Sequence, residues 1–166
     1  MAIEIRKIRQ QDNAAVAQVI RDVLIEHNVP KVGTAYADPE LDTMFEAYTR
    51  PRTVYFVLEK EGRIIGGAGV APLQNGDEDV CELQKMYFLD EARGLGYGTL
   101  MMQKCLAEAK DLGFKNCYLE TMPYMEMAQK LYLKSGFSYI GEPMGSTGHT
   151  SCPVWMLKDL DTNYDG

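Results

Sequence analysis

Arg93-Gly94-Leu95-Gly96-Tyr97-Gly98-Thr99 sets three glycines between two segments of different periodicity. Upstream, Glu82 to Leu89 is rich in residues that suit a pleated strand; downstream, Leu100, Met101, Cys105, Leu106, Ala109 and Leu112 recur at helical spacing. The glycines therefore fall at a strand-to-helix junction. Glycine adopts positive φ without a Cβ penalty, and the first turn of the following helix leaves backbone N–H groups unpaired. Such a junction suits a phosphate or pyrophosphate. The helix dipole adds only about 0.3–1 kcal/mol to the hydrogen bonds, so geometry outweighs net charge. No Gly-Lys-Ser/Thr follows, and the spacing is G-x-G-x-G rather than G-x-G-x-x-G, which excludes two familiar nucleotide-phosphate patterns. From the glycines alone, the run reads equally well as a turn that reverses the chain.

The elements that must position this run follow from local patterning. Ile3, Ile5 and Ile8 open a strand, Asp12 is placed to cap a helix, and Ala15, Val16, Val19, Ile20, Val23 and Leu24 form its apolar face. His27 to Ala37, with Pro30 and Gly33, reads as a loop before a second helix near Asp38 to Tyr48, with Pro39 in its first turn. Thr53 to Leu58 and Arg63 to Ala71 form a hairpin, and a polar turn leads into the strand from Val80 to Leu89. After the glycine run and its helix, ended by Gly113, come a strand at Cys117 to Thr121 and a helix at Met125 to Lys134. Two strands follow, Phe137 to Ile140 and Val154 to Leu157, around the loop Gly141 to Ser151. The order β-α-α-β-β-β-α-β-α-β-β predicts a mixed α/β fold. Residues 1–160 read as one domain and 161–166 as a short polar tail.

With 166 residues, 46% of them hydrophobic and 25% charged, the chain can bury a sizeable core. No apolar run is long enough for a membrane span, and the first residues lack a secretory design, so a cytoplasmic location is expected. A formal net charge of −7 argues against nucleic acid, which needs clustered Lys and Arg, and permits a cationic small partner. Cys81, Cys105, Cys117 and Cys152 show no C-x-x-C pairing and are expected as reduced thiols; no metal-ligand spacing is present.

Arg93, Gly96 and Gly98 match the pattern Q/R-x-x-G-x-G/A, and Ala128-Gln129-Lys130-Leu131-Tyr132-Leu133-Lys134-Ser135-Gly136-Phe137 matches A-x-x-x-Y-x-x-x-G-F. Together with the element order between Val80 and Ile140, these segments resemble the GNAT N-acetyltransferase superfamily. The resemblance implies a mostly antiparallel mixed sheet of six or seven strands, flanked by about four helices and splayed around acetyl-CoA, the acyl donor. It implies that Met86, Tyr87 and Phe88 offer backbone groups to the pantetheine arm and thioester. Gly94, Leu95, Gly96, Tyr97, Gly98 and Thr99 would hold the pyrophosphate, with Arg93 clamping the loop entrance.

The same resemblance implies direct transfer, in which a neutral amine attacks the thioester and a CoA thiolate departs. Tyr132 takes the position of the general acid. Glu82 matches the glutamate base of one branch of the superfamily and Glu120 that of another, so either is a candidate. A glutamate in an apolar strand also reads as a structural ion pair, and its burial raises its pKa. Alternation along the strand places Glu82 on one face with Gln84, Met86 and Phe88. Many members have an asparagine where this chain has Met125. His149, or His27, Tyr36 and Tyr48, are candidate acceptor contacts. The expected acceptor is a small-molecule or amino-acid-like amine, with a protein or peptide amine, or a non-catalytic acyl-CoA-binding module, as alternatives; association into a homodimer is compatible with this reading.

Overall fold

The structure, a computed structural model, describes residues 3–28, 36, 38–123, 125–147 and 153–161. Seven strands form one sheet: β1 (Ile3–Lys7), β2 (Val54–Lys60), β3 (Arg63–Pro72), β4 (Val80–Phe88), β5 (Asn116–Thr121), β6 (Ser138–Ile140) and β7 (Val154–Asp159). Their order is β1-β2-β3-β4-β5-β7-β6, antiparallel throughout except where β4 meets β5. Among the described residues, four helices interrupt them: α1 (Asn13–Glu26), α2 (Met44–Ala47), α3 (Tyr97–Asp111) and α4 (Glu126–Lys134).

The helices cover both faces. On one, Val16, Ala17, Ile20 and Leu24 of α1 pack with Leu41, Met44 and Tyr48 against Tyr55 and Val57 of β2. On the other, Met101, Met102, Cys105 and Ala109 of α3 and Tyr132 of α4 pack with Phe56, Leu58, Cys81 and Leu83. Three cysteines, Cys81, Cys105 and Cys117, are buried and free, as expected; Cys152 lies outside the described residues. Two local expectations are corrected. The helix anticipated across Asp38 to Tyr48 is a 3-10 turn at Pro39–Thr43 followed by the single helical turn of α2, capped by Asp38 Oδ1, which accepts the Glu40 N–H at 2.9 Å. Asp12 stands at the N-cap of α1 without capping it through its side chain. Its carboxylate accepts instead from Arg6 at 2.8 and 3.1 Å and from the Arg9 N–H at 2.7 Å.

Two irregularities in the sheet create the site. The parallel pairing of β4 with β5 covers only Val80 to Glu82 against Asn116 to Tyr118. Beyond Glu82 the strands part. On its other edge β4 carries a bulge: Gly69 pairs with Gln84 and Gly67 with Tyr87, so Lys85 and Met86 face the single residue Ala68. Lys85 takes the left-handed φ of 50° that this requires. The bulge reverses the phase of the strand, which corrects the expected alternation. Cys81 and Leu83 before the bulge share the α3 face with Met86 and Phe88 after it, whereas Glu82 and Gln84 face α1 and α2 with Tyr87.

Tyr55 holds the bulge. Its ring crosses β3 over Gly67 and Gly69, and its buried hydroxyl donates to the Lys85 carbonyl at 2.8 Å. A Cβ at Gly69 would lie 2.6 Å from both Tyr55 Cδ2 and the Val54 carbonyl oxygen, so no side chain fits there. Gly69→Ala is expected to destabilise the fold by about 1–3 kcal/mol, the usual cost of overpacking. Chemical denaturation would show this as a lower midpoint; an unchanged midpoint would mean that both the Tyr55 ring and the β2 backbone at Val54 give way freely.

Candidate active site

The gap between β4 and β5 opens into a cavity of about 490 Å3 that reaches both faces of the sheet. Glu82, Glu120 and Tyr132, named from widely separated segments, all line it, as do Met86, Tyr87, Phe88, Arg93, Gly94, Gly96, Tyr97 and Gly98. Leu95 and Thr99 do not; Leu95 points outward, 59% exposed. The carboxylates belong to the face of α1 and α2, while Tyr132 belongs to the core under α3 and α4. The parting of the strands is what lets them share one space.

The glycine run has the features of an anion cradle. Gly96 is the N-cap of α3 with φ of 84°, and a Cβ on Gly94 or Gly96 would meet nothing within 4 Å. Among the described residues, no backbone N–H from Gly94 to Thr99 donates to a protein acceptor; the first that does is Leu100, to the Gly96 carbonyl at 3.2 Å. A row of free N–H groups at the positive end of a helix dipole suits an anion. Arg93 fixes the row in place. Its Nε and Nη2 donate to the Phe88 carbonyl at 3.0 and 2.8 Å, and its Nη1 and Nη2 donate to Glu26 of α1 at 2.5 and 3.1 Å.

The two carboxylates have unlike surroundings. Glu82 is 4% exposed and, among the described residues, accepts one hydrogen bond, from Gln84 Nε2 to its Oε1 at 2.6 Å. Burial pushes its pKa up to about 7, the Gln84 bond holds it down, nearby Glu120 raises it and Lys85 lowers it. Glu120 is engaged at both oxygens: the Tyr118 hydroxyl donates to Oε2 at 2.6 Å and the Thr147 hydroxyl to Oε1. The Tyr118 oxygen in turn accepts the Met144 N–H at 3.2 Å, so Glu120 latches the loop after β6 to β5. Burial alone pushes Tyr132 up to about 12, and its hydroxyl has no hydrogen-bond partner among the described residues.

Comparison with known proteins decides the family. Residues 20–137 match the acetyltransferase (GNAT) family. The uncharacterized N-acetyltransferase YjgM of Escherichia coli strain K12 is 43% identical over 156 residues, 93% of each chain. The chain belongs to the GNAT acetyltransferase family. The fold is shared with a GNAT acetyltransferase of Staphylococcus aureus Mu50, at a TM-score of 0.86 and 21% identity over 96% of this chain and 99% of that one. It is shared too with the PaiA N-acetyltransferase of Thermoplasma acidophilum in complex with coenzyme A, at a TM-score of 0.75 and 16% identity over 96% and 99% of the two chains.

The acyl donor of this GNAT acetyltransferase is acetyl-CoA, and the residues present fit it: free N–H groups and open space at Gly94 and Gly96 suit the pyrophosphate. Met125 lines the cavity and accepts from the Thr121 hydroxyl at 3.7 Å through its sulfur. His27 lies in the cavity wall, whereas Tyr48 is buried and does not line it. His149 lies outside the described residues.

Residue patterning did not single out Lys85, whose bulge position has no local sequence signal; its side chain is 3% exposed and pairs with Asp38 at 3.2 Å and Glu40 at 3.8 Å. Tyr118 was legible in principle, because it precedes Glu120 by one strand period.

Glu82 sets a pH dependence of stability. Its folded pKa lies above the ordinary value of 4.5, so the stability of the buried neutral acid is present below about pH 4.5 and lost as pH rises through about 7. The loss approaches about 3 kcal/mol above that pH. Glu82→Gln, which stays neutral, is expected to lose less thermal stability than the parent across this window. Parallel melting curves for the two proteins would remove the buried-acid description.

Proposed function

We propose that the chain transfers the acetyl group of acetyl-CoA to the primary amine of a small-molecule acceptor by direct attack on the thioester, with Glu82 as general base and Tyr132 as general acid. One observation carries this reading: the opening between β4 and β5 joins a buried carboxylate from one face of the sheet to an unpartnered buried phenol from the other. The cavity, about 490 Å3 and open to solvent, has room for an extended donor arm and a small acceptor.

Glu82 Oε2 accepts a proton from the acceptor ammonium, directly or through one water, and the neutral nitrogen attacks the carbonyl carbon. The C–N bond forms as the carbonyl π electrons move to oxygen. Backbone N–H groups of the Met86 to Phe88 segment, which lines the cavity, stabilise that oxyanion. Collapse of the intermediate breaks the C–S bond, and Tyr132 delivers its phenolic proton to the departing sulfur. The remaining proton on nitrogen leaves to the solvent. A pKa near 7 gives Glu82 substantial occupancy of both protonation states at neutral pH, as a base that must accept and then release a proton requires. Glu120 enters as the latch for the loop at Met144 and Thr147, because both of its oxygens are already bonded.

An amine-panel assay that follows CoA thiol release tests this function. Turnover with small amines is expected to fall about 10²–10⁴-fold in Glu82→Gln and in Tyr132→Phe, with acetyl-CoA affinity retained. Gly96→Glu is expected to abolish the thermal stabilisation that acetyl-CoA gives the parent. A parent protein stabilised by acetyl-CoA but inactive on every amine would instead favour the binding-module reading, and activity confined to peptides would favour a protein acceptor.

A further inference from the structure

We propose that Tyr48 and Gln84 are positioning residues that hold the Glu82 carboxylate with one oxygen occupied and the other turned to the acceptor amine. This rests on Glu82 acting as the general base. Tyr48 follows α2, on the segment that packs against α1, and is 8% exposed. Its hydroxyl donates to Gln84 Oε1 at 2.5 Å, and Gln84 Nε2 donates to Glu82 Oε1 at 2.6 Å.

The direction of this chain follows from donor and acceptor inventory. Ionised Glu82 can only accept, so the Gln84 NH2 group faces it and the amide oxygen turns to Tyr48, where it takes the hydroxyl proton. An amide turned the other way would set an oxygen against the carboxylate and favour its protonated form. By satisfying the amide oxygen, Tyr48 holds the orientation that stabilises the ionised base. Oε2 of Glu82 accepts no hydrogen bond from the described residues, which leaves it available to the acceptor. The β4 bulge supports the arrangement: it comes directly after Gln84 and turns Lys85 toward Asp38 and Glu40, fixing the segment that leads to Tyr48 against the strand. The lysine ammonium lies 6.0 Å from the Tyr48 ring centroid.

Several groups besides Gln84 and Tyr48 face Glu82. Glu120 and Tyr118 approach from β5, whose Cys117 lies nearby on the opposite face, Lys85 lies on β4 itself, and Asp38 comes from the turn before α2. All are retained when Tyr48 or Gln84 is replaced, so a displaced titration in those variants reports on the Tyr48–Gln84 chain.

The test is the pH profile of kcat/KM for an accepted amine, measured on the full chain. Tyr48→Phe is expected to lower the value about 3- to 10-fold at neutral pH, the range for one hydrogen bond. Activity should recover at alkaline pH because the acid limb moves up, while KM for acetyl-CoA stays unchanged. Gln84→Met should move the limb in the same direction, and adding Tyr48→Phe to it should cause no further displacement, because Tyr48 acts through Gln84. If Tyr48→Phe does not fold, Gln84→Met alone decides. An unmoved limb in Gln84→Met, or additive displacements in the pair, would overturn the positioning role. Glu82→Gln separates the two levels: if it leaves the acid limb in place, Glu82 is not the base, whereas if it abolishes a limb that Gln84→Met leaves unmoved, only the positioning role fails.

Discussion

β4 parts from β5 after Glu82 and Tyr118, and the layout of the cavity follows from that gap. Backbone polar groups need partners, and a central strand that abandons its neighbour leaves a row of them facing open space. Pairing on the opposite edge with β3 keeps the exposed part of β4 in place, and Arg93 adds two bonds to the Phe88 carbonyl at its end. The gap also joins two otherwise separate sides of the sheet. A carboxylate anchored among α1 and α2 and a phenol anchored under α3 and α4 become neighbours of one cavity without either leaving its own core.

Charge placement follows the same geometry. Most of the ionised groups around the cavity are matched: Arg93 to Glu26, Lys85 to Asp38 and Glu40, and Glu120 to two hydroxyls. Buried or half-buried charges are tolerated when paired or hydrogen-bonded in this way. Glu82 differs, with one donor, deep burial and another carboxylate nearby, and its proton is correspondingly hard to remove. Its environment therefore separates it chemically from Glu120, although the two are the same residue type on adjacent strands and the same face. The glycine run requires no lysine or free arginine, because its donors are backbone N–H groups and the α3 dipole.

Much of this was legible in the sequence, for identifiable reasons. Strands and helices with strong periodicity, such as α1 and α3, dictate their own faces, and the element order matched the chain. The glycine run declared itself because few residues besides glycine serve a left-handed N-cap at Gly96. The phase of β4 was not legible. A bulge inserts one residue without any local marker, so alternation carried forward from Glu82 placed Met86 and Phe88 on the wrong face. The unlike surroundings of Glu82 and Glu120 were equally hidden, since they depend on Tyr118, Thr147 and Gln84 as hydrogen-bond partners. Leu41 and Met44 explain the short α2: both are fully buried, and tertiary packing gives the segment an order that its single helical turn would lack alone.

The proposed function requires the parted strands and the glycine run to form one binding surface for the acyl donor. Titration of isotopically labelled protein with acetyl-CoA, followed by backbone amide resonances, reads that surface residue by residue. The amides of Gly94 to Thr99 and those of β4 from Leu83 to Phe88 are expected to respond together and with the same affinity. Perturbation of the glycine run with no response along β4, or a response confined to residues away from the gap, would rule out a shared surface.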